Sequence, residues 1–407
     1  MGTDLGSFDI TIIGAGCIGS ACARHLSQLC EKKICLIGPD EPDHPRSQDT
    51  ERSVYGAHYD AGRITRILDP DLVWAKLAQR SIPRYVEVEE KSNMQFYTPS
   101  GYLGVVEEGT SYIDKVKECA KLLQVEFELL DHQQLKSKFP YFSFPPSCVG
   151  IYQPSQGGYI NIRQHVIAQM TIAQKQGCTL IKEIVDRVDR DDRGQFKIVT
   201  EKGNYLYSGK VILATGAFTP FKKLLPDPPK QLDIELMKET VVKLQVKDKD
   251  LRDMKSMPAV IYFTGKDARY DCYILPPIRY DDGKFYIKIG HGLTGSDKLD
   301  DHQQVIEWYR NVESDNLVEV LVKTINRLMP TFEYGSVVTD HCVSTHTPSN
   351  HVMIGEVNEG VTVLTGGCSH AAKSADEIGH LGALTALSND WSYDIPKSEF
   401  SVYFKQN

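Results

Sequence analysis

"FDITIIGAGCIGSACARHLSQLCEKKICLIG", residues 8–38, decides the fold. An apolar run from Phe8 to Ile13 leads into Gly14, Gly16 and Gly19, then a helical stretch rich in small residues, then a second apolar run ending near Ile37. Strand, glycine turn, helix and strand in that order form the unit that holds a dinucleotide. Gly14 permits the tight turn, Gly16 lets the backbone approach a pyrophosphate, and Gly19 lets the helix pack on the sheet. The helix N-terminus then offers free N–H groups and the positive end of its dipole to the phosphates.

The motif alone does not choose between NAD and FAD. An acidic residue commonly ends the second strand to hold the ribose, yet "LIGPDEP" puts Gly38 there, with Asp40 and Glu41 behind it. Far along the chain, "GKVILATGAFTP" places a buried strand, Val211–Ala214, before Thr215 and Gly216. A strand that returns to the first sheet after so long an insertion is typical of flavoproteins, so FAD is the expected cofactor.

The remaining chain bounds this reading. At 407 residues two domains are expected. Hydrophobic residues at 41% and charged residues at 25% are those of a folded soluble protein. A net charge of -8 argues against a nucleic-acid partner. The ten cysteines fall singly, without CxxC pairs, so no metal site is expected and a reducing cytoplasm suits them. "MGTDLGSFD" is no secretory signal, and no apolar stretch reaches membrane-spanning length.

Between the dinucleotide-type segments lie others. Helical spacing runs over 71–91 with a kink at Pro83, and "TSYIDKVKECAKLL" opens at Thr110 like a capped helix. A helix is predicted over 161–176, closed by Gly177. Short strands follow over 178–214 with "RDDRG" as a hairpin turn, then strands over 225–295 broken by "YDDGK". A helix around 302–328, strands near 337–365 and a helix over 374–388 complete the chain. The fold class is therefore α/β, or α+β overall: a Rossmann-like FAD-binding domain (1–95, 150–222, 337–395) interleaved with a substrate domain on a mostly antiparallel sheet (96–149, 223–336), and a tail over 396–407.

"AGRITRI" at 61–67, "GGYIN" at 157–161, "ATGA" at 214–217, "KIGH" at 288–291, "CVST" at 342–345 and "GGCSHAAKS" at 366–374 occur in that order. With the N-terminal glycine motif, the set resembles the monomeric sarcosine oxidase family, which includes L-pipecolate oxidase and N-methyltryptophan oxidase, within the amino-acid oxidase group. The resemblance implies an FAD-dependent oxidase of a secondary amine or amino acid, giving an imine and hydrogen peroxide from O2, monomeric or weakly dimeric and off the membrane. A dehydrogenase with another electron acceptor and a non-catalytic flavin-binding protein are the alternatives.

The resemblance also implies roles. Cys342 matches the cysteine that bonds the flavin's 8α carbon; without the motif, a small core residue is the ordinary reading. Lys288 matches the lysine that activates oxygen, the alternative being a lysine on a strand's wet face. The alternation there puts Phe285, Ile287 and Ile289 on one face and Tyr286 and Lys288 on the other. Arg63 matches the arginine over the flavin, and Arg66 and Lys373 match the pair that grips the substrate carboxylate. His370 matches a flavin-contacting histidine at the start of the last helix, a solvent-exposed capping histidine being the alternative. The expected cofactor contacts are Gly14, Gly16, Cys17, Ile18, Gly19, His58, Arg63, Val185, Thr215, Gly216, Cys342, Ser369, His370 and Lys373. Tyr273 and His291 are expected beside the substrate. The family has two histidines where this chain has His58 and Tyr59, a pair of aromatics at Cys272–Tyr273, and a histidine one residue beyond His291, so substrate identity does not carry over.

Overall fold

The computed structural model describes residues 2–406 apart from 43–45, 50, 108, 227–230, 266, 292–297, 311–315 and 389. The strand Asp4–Ile13 lies between Ile34–Ile37 and Tyr205–Leu213, parallel to both. Thr179–Ile181 extends the sheet parallel to Ile34–Ile37, and Val361–Thr365 pairs parallel to Val211–Leu213. Such strands are covered on both faces, which is why Ile10, Ile12, Leu36, Ile212 and Val363 sit in continuous apolar runs and are all buried. The hairpin Val185–Arg190/Phe196–Thr200 and the antiparallel strand Met353–Asn358 bring this sheet to eight strands. "RDDRG" makes the hairpin turn, with Gly194 at φ 81.

Two helices matter for the site. Cys17–Leu29 follows the glycine turn, and Ala371–Leu387 begins three residues earlier than its sequence pattern indicates. They cross in contact: a Cβ on Gly379 would stand 2.5 Å from the Cys22 backbone nitrogen, so the small residues let the backbones touch. Asp71 caps the helix Leu72–Ser81 by accepting from the Val73 and Trp74 amides, a cap of about 1 kcal/mol. The expected kink is a 3-10 turn, Ile82–Arg84, that carries Pro83 and leads into the helix Tyr85–Ser92. Thr110 occupies the cap position of the helix Ser111–Leu122, but its side chain makes no capping bond. In place of one helix over 302–328 stand His302–Arg310 and Asn316–Leu328, with 311–315 outside the described residues.

The second sheet also has eight strands, in the order Tyr334–His346, Glu235–Val246, Phe285–His291, Cys272–Arg279, Ala259–Phe263, Tyr102–Glu107, Cys148–Gln153 and Glu128–Leu130. All neighbours are antiparallel except Ala259–Phe263 with Tyr102–Glu107. The expected boundaries at 150 and 337 fall inside two of these strands. Register sorts the side chains. Val242, Leu244, Ile287, Ile289 and Ile274 point into an apolar core. On the other face, Cys342 is opposite Glu239, Lys243 opposite Lys288, and Gly290 opposite Tyr273. That second face is not wet: Lys288 is 0% exposed and Tyr286 is buried, because other segments cover it. Among them is a small sheet in which Arg63–Thr65 of "AGRITRI" pairs with Gly158–Ile160 of "GGYIN". Residues 396–406 fold back, with Phe400 buried and Tyr403 donating to the Met353 sulfur.

Candidate active site

At the C-terminal ends of the parallel strands lies an open cleft, where ligands of open α/β sheets bind. Its walls include Gly14 to Ile18, Gly38, His58, Val185, Thr215 and Gly216. The three glycines divide the work. A Cβ on Gly14 would lie 2.3 Å from the Ala214 oxygen, and one on Gly19 only 1.8 Å from the Gly14 oxygen, so both are required by packing. A Cβ on Gly16 would meet nothing nearer than His58 Nδ1 at 3.9 Å, so this backbone faces open cleft. Gly16 also occupies the N-cap of Cys17–Leu29 without any side-chain cap, which leaves first-turn amides turned toward the cleft. These features fit a dinucleotide.

Gly38 replaces the acidic ribose contact for a steric reason. Its Cβ would stand 2.6 Å from the Ala15 nitrogen, where the second strand ends against the glycine turn. The acids behind it are engaged elsewhere, Asp40 with Lys182 at 2.7 Å and Glu41 with Arg163 at 2.8 Å. His58 is held neutral: burial, then the charges of Arg63, Arg163 and Arg52, push its pKa down to about 3.

The far end of the cleft is bounded by Val343, Thr345, Gly366, Gly367 and Ala371. These are chain neighbours of Cys342 and His370. Gly19, Arg63, Cys342, Ser369, His370 and Lys373 do not line the cleft; apart from Gly19 and Ser369, they belong to two ion clusters.

The first cluster centres on Asp60. Lys288 Nζ donates to Asp60 and to the Gly62 carbonyl, the latter at 2.8 Å. Arg63 donates to Asp60 at 2.7 Å and to the Ala57 carbonyl at 2.5 Å, and Tyr280 to Asp60 at 3.1 Å. Arg63 Nη2 also stands 4.0 Å from Cys342 Sγ. Burial alone would raise the Asp60 pKa, but Lys288, Arg63 and Lys243 outweigh it and hold the carboxyl far below its usual range. Lys288 is pushed down to about 8 by burial and by Arg63. Tyr273 lies beneath Lys288, its ring centroid 5.6 Å from Nζ. Cys342 is further fixed by Trp308, whose Nε1 donates to the Cys342 carbonyl at 2.8 Å.

The second cluster centres on Asp69, which is 0% exposed. Arg66 donates to it at 2.8 Å, Lys373 donates to the same oxygen, and His370 Nδ1 lies 3.3 Å away. The sequence reading gave Arg66 and Lys373 no protein partner; each is buried against this carboxylate. Lys373 is pushed down to about 8 by burial, and His370 is lowered below its ordinary value by the same cause. His370 is therefore no exposed cap: its ring stacks on Trp74 with centroids 5.1 Å apart. Before it, Cys368 and Ser369 both adopt positive φ, 47° and 58°, an unusual pair for residues with a Cβ. Thr345 holds that turn, its hydroxyl accepting from Gly367 N at 3.0 Å and its carbonyl from Cys368 N at 2.7 Å.

Asp60, Asp69, Trp74, Trp308 and Glu239 were not legible as site residues. Two of them carried a signal: Asp60 precedes Arg63 by three residues and Asp69 follows Arg66 by three, a spacing that joins opposite charges. His291 ends its strand with Nε2 3.9 Å from a Glu239 carboxylate oxygen.

The chain is similar to known proteins along almost its whole length. It is 25% identical over 404 residues to a putative sarcosine oxidase of Caenorhabditis elegans, covering 97% of both chains. It is 22% identical over 400 residues to N-methyl-L-tryptophan oxidase of Salmonella newport strain SL254, covering 97% of this chain and 99% of that one. Among solved structures, NikD, an unusual amino acid oxidase essential for nikkomycin biosynthesis, superposes with a TM-score of 0.77 at 20% identity over 99% of each chain. The family profile of FAD dependent oxidoreductases matches residues 9–384. With that match, and a cleft shaped for a dinucleotide, the chain belongs to the DAO family of FAD dependent oxidoreductases.

Proposed function

We propose that this protein is an FAD-dependent oxidase of a secondary amine or amino acid, with the flavin tethered through Cys342, acting in the cytoplasm as a monomer or weak dimer. The observation that carries the reading is the shared sheet face of Cys342, Tyr273 and Lys288, where a fully buried lysine is held beside Arg63 next to the far end of the cofactor cleft. FAD, when bound, supplies the acceptor for the two electrons and the hydrogen lost from the carbon next to nitrogen. Gly14, Gly16 and Gly19 with the first turn of Cys17–Leu29 would hold its pyrophosphate, with Cys17, Ile18, His58, Val185, Thr215 and Gly216 along the cleft. Arg63, Ser369 and His370 would meet the ring system.

The protein's own groups then have distinct tasks. Arg66 and Lys373, less the charge of Asp69, leave one positive charge when Lys373 is protonated, enough to orient a substrate carboxylate. Tyr273 and His291 flank the substrate. Burial of the site excludes water while the C–N bond is oxidised, and the released imine hydrolyses in solvent. Lys288 is a fixed cation in a dry site, suited to stabilise negative charge as O2 is reduced to hydrogen peroxide.

The test combines a panel of N-methyl and cyclic amino acids with two variants. Wild-type protein should bleach anaerobically with at least one of them and release peroxide in air. Lys288→Met should still bleach yet reoxidise about 100- to 1000-fold more slowly, the usual effect of removing one preorganised electrostatic group. Cys342→Ala should lose flavin on acid denaturation while wild type keeps it. Bleaching by none of the panel would defeat the amine-oxidising reading, and flavin released equally from both proteins would defeat the tether.

A further inference from the structure

On the sheet face that carries Cys342 and Lys288, one acid has no part in the chemistry described above. Glu239 lies directly opposite Cys342 in the register of Glu235–Val246 with Tyr334–His346. Directly opposed residues project to the same face, so its carboxylate shares the side on which Tyr273 and Lys288 stand.

Exposure separates the charged groups of this region into those that hold the site and those that meet an incoming molecule. Lys288 is 0% exposed, Asp60 9%, and the pair Asp340 and Lys243 11% and 14%. Arg63 and Glu239 keep 22% and 21% of their side chains open. Arg63 is already committed to Asp60 and to the Ala57 and Gly62 carbonyls. Glu239 is held differently. Its Oε1 accepts from the neutral Ser344 hydroxyl at 2.6 Å, an orientation reinforced by a 3.0 Å contact from that hydroxyl to His346 Nε2. Near Oε2, among the described residues, stands the His291 ring at 3.9 Å, beyond a hydrogen bond.

We propose that Glu239 is a specificity-determining residue that pairs with a positive charge on the substrate's side chain. The preferred class is then a basic secondary amine: an N-alkyl amino acid with an amino or guanidino group at the end away from the reacting nitrogen. Ser344 fixes one carboxylate oxygen and leaves the other for the substrate. Burial raises the Glu239 pKa, mitigated by His291, Ser344, Arg63 and Lys288, so the anion is costly until a cation reaches it. A substrate with an acidic end would meet this carboxylate as a like charge, and an apolar end would leave it unpaired.

This inference rests on the amine-oxidising reading, and the test separates the two. Nα-methyl-L-lysine and its neutral near-isostere Nα-methyl-L-norleucine are compared by kcat/KM and by equilibrium binding followed through tryptophan fluorescence. Wild type should favour the cation by about 10- to 100-fold, the range of one hydrogen bond to a charged group. Glu239→Gln should bring that ratio to near one, and Glu239→Asp should retain a preference. A wild-type ratio near one, or a preference that survives in Glu239→Gln, overturns the proposal even when both compounds are oxidised. If neither is oxidised, the oxidase reading loses support and the binding ratio still decides for or against Glu239.

Discussion

Replacing Asp69 with Asn tests the cluster that the sequence concealed. Asp69 is fully buried and accepts from Arg66 at 2.8 Å and from Lys373, so Asn keeps the volume but removes the one negative charge between two buried cations. Breaking a buried pair by deleting one partner costs about 3–5 kcal/mol, because the other charge is left without compensation. Lys373 limits that cost. Its pKa is already about 8, so at pH 7 shedding its proton takes only about 1.4 kcal/mol in the wild type, and less once Asp69 no longer favours the charged form. Arg66 has no such escape, so the expected loss at pH 7 is about 3 kcal/mol, read from urea unfolding. Adding Lys373→Met should cost less than the sum of the two single changes by at least about 1 kcal/mol, since both remove parts of one ion cluster. A single variant within about 1 kcal/mol of wild type, or strict additivity in the double, would refute this account of the cluster.

Two further outcomes follow from the geometry. Gly19→Ala drives a Cβ to 1.8 Å from a backbone oxygen and should lose both stability and bound flavin, whereas Gly16→Ala, with 3.9 Å to its nearest neighbour, should fold and lose flavin alone. Thermal unfolding beside the flavin-to-protein absorbance ratio checks this, and a Gly19→Ala protein that loads flavin normally would contradict it. Alkaline stability carries the second. Lys288 and Lys373 are both lowered from 10.5 to about 8, so each holds its proton more in the unfolded chain than in the native one between those values, while buried thiols and phenols such as Cys22, Cys35 and Tyr85 are pushed up and act in the opposite sense. The stability held above pH 10.5 is therefore lost as pH falls through 8, with a slope of at most about 1.4 kcal/mol per pH unit for each lysine. The stability of wild type minus that of Lys373→Met, from urea unfolding at pH 8, 9 and 10, should therefore increase with pH by up to about 1.4 kcal/mol per unit; a difference that does not change with pH would count against the buried lysine.

The glycine motif was legible because its constraints are local. Gly14, Gly16 and Gly19 act within one turn and helix, and the returning strand shows as an apolar run only at its end, Val211–Leu213, its first six residues being of mixed polarity. The helical spacing from Asp71 and the break at Pro83 belong to the same short-range class. What did not show is set by pairing across distance. Lys288 and Asp60 are 228 residues apart, and Lys373 and Asp69 304. No spacing in a single sequence reports that two cations share a carboxylate. The alternation around Lys288 correctly separated its two faces, but alternation records parity and not cover, so burial of the lysine face by the segment around 57–63 lay beyond it.

That cover also explains why two separate glycine- and arginine-bearing stretches had to converge. Arg63 sits on a three-residue strand paired to Gly158–Ile160, and Gly62 packs against the second sheet so closely that a Cβ there would stand 2.7 Å from Leu275 and 2.8 Å from Ile278. The close approach lets the Gly62 carbonyl accept from both Lys288 and Arg63. A side chain at 62 large enough to lift that segment off the sheet, rather than only displace the tips of Leu275 and Ile278, would separate Asp60 from Lys288 and leave a buried ammonium without its anion. The lysine would then deprotonate and lose the charge on which its proposed role with oxygen depends. The geometry of this small strand therefore sets the electrostatics of the site on the larger sheet.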